Sequence, residues 1–218
     1  MAVLLDLDGV LVGSLATYRE AWKQWALRHE LPWDAAWSLA RGRRPADVIR
    51  LIDETLDLGA ELDSFAGLLG RELRQTRALP GAQELLSRLR PDGHAIVTSA
   101  FRWAAVQALG CAGLPEPAVL IEREDVSAGK PDPECYLLAA LRLQSEPNRR
   151  IVVEDAPEGV AAAKAAGMRL IAVGRHGNEP GLAQADRVVM SVKEVVADLE
   201  RWSMDGDQGR LELPHSPI

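Results

Sequence analysis

Ala2-Val3-Leu4-Leu5-Asp6-Leu7-Asp8-Gly9 sets an unbroken apolar run directly before two carboxylates and a glycine. A segment apolar at every position suits a strand buried on both faces, as in a parallel sheet covered by helices. The pattern returns at Ala95-Ile96-Val97 before Thr98-Ser99-Ala100, and at Ile151-Val152-Val153 before Glu154-Asp155. Weaker versions are Leu170-Ile171-Ala172-Val173 before Gly174 and Arg187-Val188-Val189-Met190 before Ser191. Helical patterns cover 81–89, 103–109 (closed by Gly110), 133–143 (Asp132 as N-cap, Pro133 in the first turn) and 157–166 (closed by Gly167). Strands alternating with helices predict an α/β fold, a doubly wound, parallel, Rossmann-like sheet.

Residues 14–78 break the alternation. Helical patterns at 15–29, 45–56 and 62–76 have no convincing strand between them, so an all-helical cap is expected there. The α/β core would then comprise 1–13 and 79–218. Four of the six tryptophans (Trp22, Trp25, Trp33 and Trp37) fall in the cap, where a bundle core is a commoner use of them than a ligand box. After Trp202, Met204-Asp205-Gly206-Asp207 reads as a turn, suited to a small terminal hairpin.

With 218 residues, 47% of them apolar, the chain can bury one core with a modest inserted module. No stretch reaches the ~20 apolar residues of a membrane helix. Asp6 and Asp8 interrupt the apolar start and no basic leader precedes it, so a cytoplasmic location is expected. Cys111 and Cys135 fit no metal or redox spacing and read as buried or half-buried thiols. A net charge of −7 argues against a broad grip on nucleic acid or anionic lipid.

In an open parallel sheet, ligands gather beyond the carboxyl ends of the strands, and each polar cluster named above sits at such an end. Asp6 and Asp8 point the same way if the strand continues through both and diverge if it bends. Carboxylates crowded at one edge repel unless a cation offsets them, and an oxygen-only set without clustered histidines or thiolates favours Mg²⁺. Turn formation or helix capping could explain one such pair, and explains two at buried strand ends poorly. The Thr98-Ser99 hydroxyls and free N–H groups of that turn offer a phosphate seat, although hydroxyls there also cap helices. Lys130, one of four lysines, lies in Ser127-Ala128-Gly129-Lys130-Pro131, where it could neutralise both phosphate and carboxylates. No G-x-x-x-x-G-K-[ST], G-x-G-x-x-G or G-x-S-x-G motif occurs, which disfavours P-loop, dinucleotide and serine-hydrolase chemistry.

The order Asp6-x-Asp8-Gly9, Thr98/Ser99, Lys130, Glu154-Asp155 resembles the haloacid dehalogenase superfamily over nearly the whole chain. Gly129-Lys130-Pro131-Asp132-Pro133 and Val153-Glu154-Asp155-Ala156-Pro157-Glu158-Gly159-Val160 look most like its sugar- and polyol-phosphate phosphatase branch, which carries a helical cap after the first strand. The resemblance implies a Mg²⁺-dependent phosphatase with Asp6 as nucleophile and Asp8 as general acid and base. Asp6, the Asp8 backbone carbonyl and Asp155 would hold the metal, with Glu154 as ligand or support. Thr98 or Ser99 and Lys130 would bind the phosphoryl oxygens. In the cap stretch Arg41-Gly42-Arg43-Arg44, Arg43 is the first candidate for a substrate contact, against the plainer reading of solvated arginines. Hinges are expected near 11–14 and 76–80, and a swinging cap suits a monomer acting on a small phosphorylated sugar or polyol. Gly13, where relatives usually carry Asp, and Val10, where Thr is commoner, depart from the pattern.

β-Phosphoglucomutase resembles the chain as well, but carries His where Tyr18 stands and Arg where Pro45 stands. A receiver domain would put its phosphoacceptor on a middle strand and lack the helical insertion. A dehalogenase on this scaffold would not need Asp8 or metal-type carboxylates.

Overall fold

A computed structural model describes residues 2–144, 150–174 and 180–204. Six strands form one parallel sheet: β1 (Ala2–Leu5), β2 (His94–Val97), β3 (Leu120–Ile121), β4 (Arg150–Glu154), β5 (Arg169–Val173) and β6 (Arg187–Val189). Their order is β3-β2-β1-β4-β5-β6. Leu4 pairs with Ala95 on one side and Val152 on the other, so β1 is central and its carboxyl end lies between those of β2 and β4. The strand order reverses beside β1, the place where an open α/β sheet leaves a crevice.

Alternate residues of each strand feed opposite faces. Val3, Leu5, Ile151, Val153, Ile171 and Val173 join one core cluster, while Leu4, Val152, Leu170 and Ala172 join the other. The first face is covered by α5 (Ala82–Arg88), α6 (Arg102–Ala112) and α9 (Val192–Met204), the second by α7 (Glu134–Arg142) and α8 (Pro157–Ala165). Between β1 and α5 come α1 (Leu15–Arg28), α2 (Trp33–Ala40), α3 (Pro45–Ile52), α4 (Leu58–Glu72) and a 3-10 turn at Leu73–Gln75. Trp22 packs edge-on to Trp25 and 4.4 Å from Phe65, and this aromatic group joins the same core cluster as Val3 and Leu5 of the sheet.

Several boundaries differ from the sequence reading. α6 runs through Gly110 and closes at Gly113, because Leu109 and Ala112 continue its buried stripe and Gly113 takes the left-handed cap conformation. α2, β3 and α9 were not foreseen. Pro133 caps α7, while the Asp132 carboxylate receives the Glu134 N–H. Cys135 is buried and Cys111 half-buried, both as free thiols. No helix among the described residues is long and apolar enough to cross a membrane. The terminal turn expected at 205–207 lies outside the described residues.

Candidate active site

β1 ends at Leu5, and the Asp6 N–H is then held by the Val153 carbonyl at 2.9 Å, fixing Asp6 against β4. The chain bends at once. Leu11 and Val12 return their N–H groups to the Leu7 carbonyl, and Gly9 at φ +94° turns the backbone directly beneath Asp155. A β-carbon at Gly9 would sit 2.1 Å from Asp155 Oδ2, so only glycine lets the two loops approach. Because of the bend, Asp6 and Asp8 have separate surroundings.

Asp6 faces Lys130. The Lys130 ammonium is buried and donates to Asp6 Oδ1 at 2.6 Å, Glu154 Oε1 at 2.6 Å and the Val97 carbonyl at 3.4 Å. Burial acts to lower its pKa, but the Asp6 and Glu154 carboxylates more than offset this and hold it well above the ordinary value. Burial pushes Asp6 up, Lys130 draws it back, and Glu154, Asp155 and Asp8 add repulsion; the balance is a raised pKa. Lys130 is held by its loop: Glu134 accepts the Ser127 and Ala128 N–H groups at 3.0 and 2.8 Å.

Asp8 faces hydroxyls. Ser14 donates to Oδ1 and Thr98 to Oδ2 at 3.4 Å. Burial raises Asp8 to about 6 against the pull of those hydrogen bonds and of Lys130. Gly13, the departure noted above, gives its N–H to the Arg77 carbonyl, and the neighbouring Ser14 fastens Asp8.

Glu154 is saturated. Oε1 accepts from Lys130 and from the Tyr136 hydroxyl (3.0 Å), and Oε2 from the N–H groups of Asp155 (2.8 Å) and Ala156 (2.9 Å). One carboxylate oxygen each from Asp6, Glu154 and Asp155 lies within 4.8 Å of the others, and all three residues are buried. This oxygen-only, converging set suits a hard divalent ion. Among the described residues, the main-chain N–H groups of Leu7, Asp8 and Ser99 donate to nothing. Asp6, Asp8 and Ser99 line one pocket, so these N–H groups offer an anion seat beside Asp6.

The loop joining α2 to α3 covers this edge. Ser99 Oγ donates to the Gly42 carbonyl at 2.7 Å, and Arg41 to the Asp155 carbonyl at 3.2 Å. Arg44 reaches the Val126 and Ser127 carbonyls at 2.8 and 3.0 Å. Arg43 lines the resulting chamber, but its guanidinium is engaged by Glu158 at 2.8 Å and the Leu39 carbonyl at 3.0 Å. The chamber, about 60 Å³, holds Asp6, Asp8, Thr98, Ser99 and Asp155 on the sheet side and Tyr18, Trp22 and Trp37 opposite. Sequence reasoning thus missed Ser14, Tyr136 and the chamber-lining role of Trp22 and Trp37. Trp22 is buried in the core cluster and Trp37 packs against it, and both also line the chamber.

Residues 1–167 match the family model of haloacid dehalogenase-like hydrolases. The chain belongs to this family. Among its haloacid dehalogenase-like relatives, hexitol phosphatase A of Escherichia coli K12 is 38% identical over 197 residues, covering 88% of this chain and 91% of that one. Validoxylamine A 7'-phosphate phosphatase of Streptomyces hygroscopicus subsp. limoneus is 38% identical over 211 residues, covering 91% and 95%. The crystal structure of a HAD family hydrolase from Deinococcus radiodurans R1, with bound phosphate and sodium, superposes with a TM-score of 0.69 at 29% identity, covering 92% and 95%.

Proposed function

We propose that this hydrolase releases inorganic phosphate from a small sugar or polyol monophosphate through a phosphoryl-Asp6 intermediate, with residues 14–78 as a cap over the core of 1–13 and 79–218. The observation that carries the reading is the anion seat beside a carboxylate: Lys130 bonds Asp6, the unspent N–H groups of Leu7 and Asp8 follow it in the chain, and that of Ser99 belongs to the same chamber lining. The two 38%-identical relatives, both named as phosphatases, support the substrate class.

In the first step an Asp6 carboxylate oxygen attacks phosphorus, the ester P–O bond breaks, and Asp8 gives its proton to the departing alkoxide. A pKa of about 6 suits Asp8 to this exchange near neutral pH. In the second step Asp8 takes a proton from water as that water attacks the phosphoryl-Asp6, freeing phosphate and restoring the carboxylate. Lys130, the Thr98 and Ser99 turn and the free N–H groups bind the phosphoryl oxygens as charge moves among them. Asp6, the Asp8 carbonyl and Asp155 would hold Mg²⁺, with Glu154 bracing Lys130 behind it; the ion supplies positive charge against the phosphate. Arg43, oriented by Glu158 at the chamber wall, would touch the substrate beside its phosphate from the cap.

The mutase reading is weaker at the chamber wall. Burial and the nearby Asp8 and Asp6 raise the pKa of Tyr18, so it stays a neutral phenol where a mutase uses histidine. Pro45, also in the wall, brings no charge. The two free thiols fit a reducing, cytoplasmic setting, and the acidic balance fits a small-molecule partner rather than nucleic acid or membrane; a swinging cap suits a monomer.

The test is phosphate release from glycerol, hexitol and hexose monophosphates with Mg²⁺ and with EDTA. Metal-dependent release is expected, and Asp6→Asn should lower it by several orders of magnitude with the fold intact. Comparable turnover in that variant would remove Asp6 as nucleophile.

A further inference from the structure

The chamber over Asp6 is too small for the substrate it serves. Its 60 Å³ holds a handful of water molecules, which is room for a phosphoryl group and little else. Beside it lies a cleft of about 610 Å³, which shares Leu15, Trp37, Arg41 and Asp155 with the chamber. Ten times larger, this cleft falls within the ~300–1,000 Å³ of sites that enclose a drug-sized ligand.

The cleft's far wall carries unspent hydrogen-bonding capacity. Arg19, Glu20 and Lys23 lie along one stripe of α1, and Trp33 and Trp37, four residues apart, on one face of α2. The Arg19 guanidinium stacks 4.8 Å from the Trp33 ring. Among the described residues Arg19 has no carboxylate or hydrogen-bond partner, and neither indole N–H of Trp33 or Trp37 donates to anything. Three cations in the cleft lining (Arg19, Lys23 and Arg41) stand against two carboxylates (Glu20 and Asp155), so the wall offers donors and acceptors with little net charge. Flat aromatic surface with dispersed donors fits a neutral, hydroxyl-rich body. A second phosphate would call for cations without acids among them, and the Glu20 and Asp155 carboxylates in the lining work against that.

We propose that this cleft is the leaving-group site, and that the physiological substrate carries one phosphate on a neutral polyhydroxylated body larger than a single sugar ring, such as a disaccharide or a polyol of similar length. Arg19 and Trp33 are its specificity-determining residues. The inference rests on the phosphatase reading above and adds the size and charge of the leaving group.

The test compares kcat/KM with Mg²⁺ for glycerol 3-phosphate, glucose 6-phosphate and trehalose 6-phosphate. The disaccharide ester should exceed glycerol 3-phosphate at least tenfold and also exceed glucose 6-phosphate. Arg19→Ala, at an exposed position, and Trp33→Ala should raise KM for the disaccharide ester at least fivefold more than for glycerol 3-phosphate. Release from the small esters without that preference, or equal KM changes for all three, would overturn the cleft assignment and leave the phosphatase reading standing. Release from none would overturn both.

Discussion

Glu154 shows how one residue can brace a candidate site through its neighbours. Its two oxygens take four hydrogen bonds, and its charge, with that of Asp6, keeps Lys130 protonated in a buried position. Gly159 is the hidden condition for this arrangement. Glycine inside a helix costs about 1 kcal/mol against alanine, yet α8 carries one facing Glu154. A β-carbon there would lie 1.6 Å from Glu154 Oε1, and a carboxylate fixed by four donors cannot step aside cheaply. Gly159→Ala should therefore lower unfolding stability by roughly 2–4 kcal/mol, as expected when a buried charge loses its partners. Urea denaturation checks this, and an unchanged midpoint would mean that α8 can shift away from β4. Asp6, Asp8, Lys130, Glu154 and Asp155 were legible because each stands at a strand end or in a Gly-Pro loop. Ser14, Tyr136 and Gly159 were not, because their roles exist only through partners that the fold brings close.

At the scale of elements, the loop between α2 and α3 joins the helical insertion to the sheet edge. Its three arginines and the Gly42 carbonyl contact four separate core positions: Asp155, Glu158, the 126–127 carbonyls and Ser99. Gly42 makes this seat possible twice over. Its φ of +77° is left-handed, and an added β-carbon would meet Ala156 Cβ at 2.9 Å and Glu158 Cβ at 3.3 Å. Gly42→Ala should hold the loop off the edge, lowering kcat/KM at least tenfold while Tm, set by the sheet core, changes little. A matching loss of Tm would make Gly42 a folding requirement instead of a closing one. The sequence showed this loop's charges but not α2, which is eight residues long and squeezed between Pro32 and Gly42. β3 has two residues, too few for a period to register. The signal for α9 was present and unread: Ser191 and Glu194 have capping-box spacing, and Ser191 Oγ donates to Glu194 at 3.3 Å.

Across the whole molecule, the parallel arrangement brings the carboxyl ends of β1, β2 and β4 together, and with them more negative charge than one lysine offsets. Three buried carboxylates converge there, and the one ammonium that bonds Asp6 and Glu154 leaves up to two negative charges before any phosphate arrives. Such an edge is stabilised by whatever cation it takes up, because binding to the folded state alone adds RT ln(1 + [L]/Kd). At a hundredfold excess over Kd this is about 2.7 kcal/mol. For a chain of this size that corresponds to a rise in Tm of roughly 5–10 °C. The wild-type protein should show this shift between EDTA and saturating Mg²⁺, and Asp155→Asn should lose most of it. In EDTA the same variant should melt no lower than wild type, since it removes one of the repelling acids. Equal Mg²⁺ shifts in the two proteins would take Asp155 out of the metal site. No shift in either would mean that Lys130 and proton uptake by the carboxylates balance the edge alone, and the proposed metal would then have to enter with the bound phosphate.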